Sequence, residues 1–250
     1  MATIYRDSAY NTVFECMAYL NTHYFSDVEI VPRTNKFHFD MFQQTLSKGN
    51  FTGPRLLDIG GGPNLGNAIY TCTQFPEIVF SDYSEKCRQA VEKWVENTPD
   101  AINWSQFIKN VCDMEGTGNT WEERQAMVRR SIKDIIHCDV LKSNPLEPKV
   151  FEPFDAIVTS YCLESACPDR ESFKVSMKNI INLLKPGGIL MMFAALNESF
   201  YLIGEKRFYN LELDETFVKE AVVESGCHIV SSEVFNFQTT TLLFVAAIKN

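Results

Sequence analysis

The stretch Leu56-Leu57-Asp58-Ile59-Gly60-Gly61-Gly62-Pro63 constrains this chain more than any other. Arg55 to Ile59 is a short apolar run with one acid near its end, the pattern of a parallel strand buried on both faces. Three glycines follow at once, then a helix-compatible segment from Leu65 to Cys72. Strand, glycine turn and helix bring backbone N–H groups close to a bound nucleotide. Glycine suits such a turn because φ can be positive there and no Cβ holds the ligand away. A second acid, Asp82, comes 22 residues after Gly60, at the end of the strand-like run Glu77 to Tyr83. An acid there can accept both hydroxyls of an adenosine ribose. Glycine clusters alone usually mark ordinary turns; the spaced acid favours nucleotide binding.

The alternation continues downstream. Ser84 is positioned to cap a helix carrying Cys87, Val91, Trp94 and Val95 on one face. Residues 97–131 read as a polar excursion, with a charged helical segment from Trp121 to Lys133. Third, fourth and fifth strands follow at Ile135–Val140, Phe154–Tyr161 and Ile189–Leu196. Asp169 caps the helix before the fifth strand, with Phe173, Met177, Ile180, Ile181 and Leu184 lining one side, and Lys185-Pro186-Gly187-Gly188 ends it. A last helix runs from Asp214 to Glu224 and stops at Gly226. The runs His228–Phe237 and Thr241–Lys249 are separated by too few residues for anything but an antiparallel hairpin. The pattern predicts an α/β fold: a doubly wound, seven-stranded, mostly parallel sheet closed by a C-terminal antiparallel hairpin. Residues 1–50 are aromatic-rich, and helices over about 11–23 and 36–48 are expected there, as a cap on the core or a lid over the nucleotide site. No linker or repeat interrupts the chain, so one domain is expected over 1–250, with 1–50 as helical lid and 51–250 as core.

A net charge of −9 argues against nucleic acid or an anionic membrane as the main partner, since phosphates need a basic patch. It is compatible with a cationic ligand. No apolar run approaches the length of a membrane span. Eight cysteines without a CxxC, most of them in apolar runs, and no visible signal peptide favour reduced thiols and a cytoplasmic setting. The four histidines are scattered without metal-ligand spacing, so no metal site is expected.

A nicotinamide-dependent dehydrogenase would also place glycines and an acid here, but usually as G-x-G-x-x-G/A. An acid inside the first strand, Lys-Pro-Gly-Gly before the fifth and a terminal hairpin look instead like a class I methyltransferase using S-adenosylmethionine. Further blocks narrow the match: Phe80-Ser-Asp-Tyr-Ser84, Glu92-Lys-Trp94, Val111-Cys-Asp-Met-Glu-Gly116, Cys162-Leu-Glu-Ser-Ala-Cys-Pro-Asp169 and Ala195-Leu-Asn-Glu-Ser-Phe-Tyr-Leu-Ile-Gly-Glu205. They resemble the nicotinamide, phenylethanolamine and indolethylamine N-methyltransferase family over nearly the whole chain. The resemblance implies a monomeric, cytosolic enzyme with S-adenosylmethionine as methyl donor and S-adenosylhomocysteine as product. Carried over by residue, it implies a cofactor set of Tyr19, Tyr24, Gly60, Gly61, Asp82, Tyr83, Asp139, Val140 and Ser160. Tyr19 and Tyr24 match a Tyr-x4-Tyr in the family's lid and would meet the methionine carboxylate; core packing is their other reading. Asp82 would take the ribose, Tyr83 the adenine face, and Asp139 with Val140 the adenine edge. Gly66 and Cys87 depart from the tyrosine and asparagine common in the family.

The loops after the fourth and fifth strands open at the same sheet edge as the glycine turn and carry Glu164 and Glu205. In the resemblance these match two acids that face the substrate amine, and the expectation is Glu205 as ammonium anchor and Glu164 as water-relayed base. Solvated surface glutamates are the alternative. Ala194 stands where the nicotinamide enzyme has an aspartate for the carboxamide, which favours a small-molecule amine, an aryl-alkyl one, as substrate. A pyridine or thioether methyltransferase, or a non-catalytic S-adenosylmethionine-binding protein, are the alternatives.

Overall fold

A computed structural model describes residues 3–6, 8–49 and 53–250; the lid–core boundary expected at 50/51 lies outside them. In chain order the elements are β1 (Ile4–Tyr5), α1 (Ala9–Thr12), α2 (Cys16–His23), α3 (Ile30–Lys48), β2 (Arg55–Ile59), α4 (Gly66–Thr71) and β3 (Glu77–Asp82). Then come α5 (Glu85–Val95), α6 (Ser105–Glu115), α7 (Trp121–Ser131), β4 (Ile132–His137), β5 (Phe154–Ser160), α8 (Leu163–Ala166), α9 (Arg170–Asn182) and β6 (Leu184–Leu196). The chain closes with β7 (Phe200–Ile203), β8 (Lys206–Tyr209), α10 (Glu215–Glu224), β9 (Cys227–Phe237) and β10 (Thr240–Lys249).

Seven strands form one sheet in the order β4-β3-β2-β5-β6-β10-β9, parallel except for β10, which runs antiparallel to both β6 and β9. Strand order reverses between β2 and β5, the place where α/β sheets open a crevice beyond their carboxyl ends. The fourth strand of the sequence reading, β5, adjoins the first, β2; the fifth, β6, lies one strand further out. Side chains alternate between faces along a strand, and two cores result. Leu56, Ala156, Val158, Met191 and Phe193 pack under α3, α4, α6 and α7, whereas Leu57, Ile157, Leu190, Met192 and Ala194 pack under α9 and α10.

Several elements differ from expectation. The helix expected over about 11–23 is two helices, α1 and α2, and α3 starts earlier than residue 36 because Pro32 falls in a first turn, where proline costs no hydrogen bond. The polar excursion holds a full helix, α6, which buries Phe107, Ile108, Val111 and Cys112 and ends on Gly116 at φ +63°. Ser84 sits at the N-cap of α5 without capping it: its Oγ donates to the Tyr10 carbonyl, and Asn11 Oδ1 accepts the Glu85 N–H instead. Lys185 to Gly188 belongs to the extended β6. Residues 197–209 form a second small sheet: β7 and β8 make a hairpin, and β1 joins β8 in parallel. The N-terminal segment is therefore held by a strand as well as by helices. No helix among the described residues is long and apolar enough to cross a membrane.

Candidate active site

The glycine turn serves the protein's own packing first. A Cβ on Gly60 would lie 2.2 Å from Cys162 Sγ, and one on Gly61 would lie 2.3 Å from the Phe80 ring. Neighbouring side chains alone already require these glycines. Gly60 and Gly61 N–H both donate to the Ser81 carbonyl, and Gly62 N–H donates to Asp82 Oδ2. Asp82 accepts the Ser84 N–H on its other oxygen, at 2.7 Å, so it fixes the turn after β2 to the turn after β3. Burial pushes its carboxyl up to about 6, against the pull of those two N–H groups. Each oxygen keeps a lone pair for a ligand hydroxyl.

Behind the turn lies a buried polar chain that sequence reasoning missed. Asp58 accepts from the Asn67 side-chain amide at 2.9 Å, and Asn67 Oδ1 accepts from Ser160 Oγ at 3.2 Å. Burial pushes Asp58 up to about 7, with Asn67 pulling the other way. Asn64 uses both ends of its amide, accepting the Gly66 N–H and donating to Tyr24 Oη. Tyr24 is thereby part of the turn's foundation.

One cavity of about 330 Å³ opens at the carboxyl edge of the sheet, at the low end of the usual size of small-molecule pockets. Of the residues expected to hold a cofactor, Tyr19, Gly60, Asp82, Tyr83, Asp139, Val140 and Ser160 line it; Tyr24 and Gly61 do not. Asp139 Oδ1 accepts the Leu141 N–H, which orders the loop after β4. Tyr83 stands at the rim, 42% exposed, beside the His137 ring. The strand order puts the loops after β3 and β4 at one end of this crevice and those after β5 and β6 at the other. The lining also includes Tyr10, Phe14, Tyr161, Cys162, Ser165, Ala166 and Tyr201. Tyr10 and Tyr201 share a hydroxyl hydrogen bond at 2.9 Å, and burial pushes Tyr10 up to about 12 and raises Tyr201 as well, so both stay neutral. Among the described residues the lining carries two carboxylates, Asp82 and Asp139, and no Lys, Arg or His.

The two glutamates expected to face a substrate are not brought together. Glu164, in α8, is fully buried behind the lining residues Ser165 and Ala166. Its Oε1 accepts the Ala195 N–H at 2.7 Å, while Oε2 is buried without a partner, and burial pushes the carboxyl up to about 7. Glu205 lies in the exposed turn between β7 and β8, outside the cavity. Glu198, in the loop after β6, is half-buried with its carboxyl raised by burial, and it adds to the field at Glu164. It falls within the Ala195–Glu205 block of the sequence, where the family resemblance points to Glu205.

Comparison with known proteins adds an independent line. The profile of the NNMT/PNMT/TEMT family matches residues 2–249. Indolethylamine N-methyltransferase of Oryctolagus cuniculus is 33% identical over 213 residues, covering 84% of this chain and 81% of that protein. Nicotinamide N-methyltransferase of Homo sapiens is 39% identical over 184 residues, covering 74% and 70%. Magnesium protoporphyrin IX methyltransferase from Synechocystis PCC 6803, solved with bound SAH, superposes with a TM-score of 0.62 over 98% of this chain and 97% of that one; at 11% identity it speaks for the fold alone.

Proposed function

The chain belongs to the NNMT/PNMT/TEMT family of S-adenosylmethionine-dependent methyltransferases, and on that premise we propose that it methylates the nitrogen of a small aryl-alkyl amine. The observation that carries this is the charge of the cavity: among the described residues it holds two carboxylates and no basic side chain. Such a lining suits a sulfonium donor and an ammonium-forming acceptor, and is unsuited to the diphosphate of a nicotinamide dinucleotide.

S-adenosylmethionine supplies an electrophilic methyl group on sulfur. The residues lining the cavity fit it: Asp82 for the ribose, Tyr83 for the adenine face, Asp139 and Val140 for the adenine edge, Ser160 and Tyr19 for the methionine end. Tyr24 and Gly61 act from beneath, through Asn64 and the Ser81 carbonyl. The acceptor nitrogen needs its lone pair. For an amine with a lysine-like pKa near 10.4, losing the proton at pH 7.4 costs about 4 kcal/mol. In this proposal Glu164 receives that proton through water. A carboxyl pushed up to about 7, with an unpartnered oxygen behind the cavity wall, is matched to that task near neutral pH. Glu205 would need the β7–β8 turn to fold inward before it could anchor the ammonium. The remaining rate comes from holding nitrogen, methyl and sulfur in line.

Two names among the relatives, indolethylamine and nicotinamide, mark the two nitrogen types to be separated. The support for the amine from Ala194 is its place in the family resemblance, where the nicotinamide enzyme has an aspartate; in the fold it packs under α9 and α10 and does not line the cavity. The test is a panel of aryl-ethylamines, imidazole-ethylamine, pyridines and thioethers with labelled S-adenosylmethionine. Transfer to an alkyl nitrogen is expected; transfer only to pyridines or thioethers would move the assignment to them. Cofactor binding without any transfer would make this a binding protein.

A further inference from the structure

Tyr161 lines the cavity, with Ser160 before it and Cys162, pressed against Gly60, after it. Its backbone has φ +57°, a left-handed conformation that a bulky side chain rarely adopts. Strain of this kind persists only where the surroundings impose it, and it concentrates at functional sites. Here the Tyr161 N–H donates to the Phe193 carbonyl at 2.9 Å, and the hydroxyl lies 2.5 Å from His38 Nε2. His38 reaches over from α3, buried edge-on against the Phe193 ring at 4.5 Å.

Burial pushes His38 down to about 3, so it is neutral at pH 7. With the proton of the neutral ring on Nδ1, Nε2 accepts the Tyr161 hydroxyl proton and leaves the phenol oxygen as an acceptor for a second group. Glu164 and Glu198 both add negative field at Tyr161, which further favours a hydrogen-bond donor or a cation as its ligand. We propose that the Tyr161 hydroxyl, held by His38, accepts an N–H of the methyl-accepting nitrogen and so favours amines over nitrogens that carry no hydrogen. The inference rests on the methyltransferase reading above. An amine that spends an N–H on Tyr161 keeps its lone pair free to attack. A pyridine nitrogen has only the lone pair, and a hydroxyl that bonded it would block the reaction.

The experiment compares wild type with Tyr161→Phe, which removes one oxygen, and with His38→Leu and His38→Gln. Each is read by kcat and KM for phenylethylamine and for pyridine, and by calorimetric binding of both to the S-adenosylhomocysteine complex. Loss of one hydrogen bond should weaken amine binding or turnover about 3- to 10-fold in Tyr161→Phe and His38→Leu, with pyridine unaffected. His38→Gln, which can still accept the phenol proton, should recover most of the loss. Equal losses for amine and pyridine, or amine binding and turnover both within twofold of wild type, would overturn the proposal. If wild type methylates neither compound, the functional reading fails, and the binding comparison still decides the role of Tyr161.

Discussion

Glu164→Gln tests both the electrostatics of the site and the proton acceptor. Burial carries this carboxyl from its ordinary 4.5 to about 7. Because the folded state holds the proton more tightly than the unfolded chain, Glu164 contributes most stability below pH 4.5. That contribution falls as pH rises through 7. At about 1.4 kcal/mol per unit over roughly 2.5 units, the whole effect is about 3 kcal/mol, and most of it lies between pH 5 and 8. In the glutamine variant the Ala195 N–H keeps its acceptor, and the amide nitrogen in place of the orphan Oε2 adds a cost that does not vary with pH. Asp58 and Asp82, raised to about 7 and about 6, titrate in both proteins and largely cancel in the difference. Urea unfolding at pH 5, 6.5 and 8 should therefore show the variant gaining about 2–3 kcal/mol on wild type across that span. A difference that stays flat with pH would refute the raised carboxyl. In turnover, wild-type kcat should rise with pH through about 7 and the variant should lose that limb; an unchanged profile would remove Glu164 from proton transfer.

Asp82→Ala should weaken S-adenosylhomocysteine binding about 30- to 150-fold, roughly 2–3 kcal/mol, by calorimetry; full affinity in a folded variant would mean the ribose is held elsewhere. Gly60→Ala should destabilise by about 2–4 kcal/mol, because φ is +66° and the new methyl lies 2.2 Å from Cys162 Sγ. Adding Cys162→Ala should return only part of that, and an unchanged melting temperature in the single variant would refute the clash. Glu205→Gln should leave kcat/KM within about twofold, as for surface substitutions generally; a tenfold loss would show that the β7–β8 turn enters the cavity during turnover.

The sheet was legible because its signals are local. Apolar runs, an acid at each of two strand ends and a hairpin too short to cross over define β2, β3, β5, β6, β9 and β10. The small sheet was not, because a two-residue β1 and four-residue β7 and β8 have no periodicity to detect, and their pairing spans nearly the whole chain. The glycines show a similar limit. Their positions announce a tight turn, but whether a Cβ would strike a ligand or Cys162 depends on a loop about a hundred residues away. Seven of the nine expected cofactor residues line the cavity, since strand ends converge wherever the sheet forms. Glu164 and Glu205 part company because one sits on a buried helix and the other on an exposed hairpin turn. Tyr161 and His38, far apart in sequence and without a motif, gave no sign.

The parallel pairing of β1 with β8 has a kinetic consequence. The same small sheet carries Tyr201 into the cavity wall and ties down the segment bearing Tyr10, Phe14 and Tyr19. Cross-links run throughout: Tyr10 to Tyr201, Lys206 Nζ to the Val13 carbonyl, and His23 Nε2 to the Leu202 carbonyl. An opening that lifted this segment would have to break all of these contacts together. On the proposed function, product release would then wait on that concerted opening, and turnover should follow solvent viscosity more than the nucleophilicity of the amine.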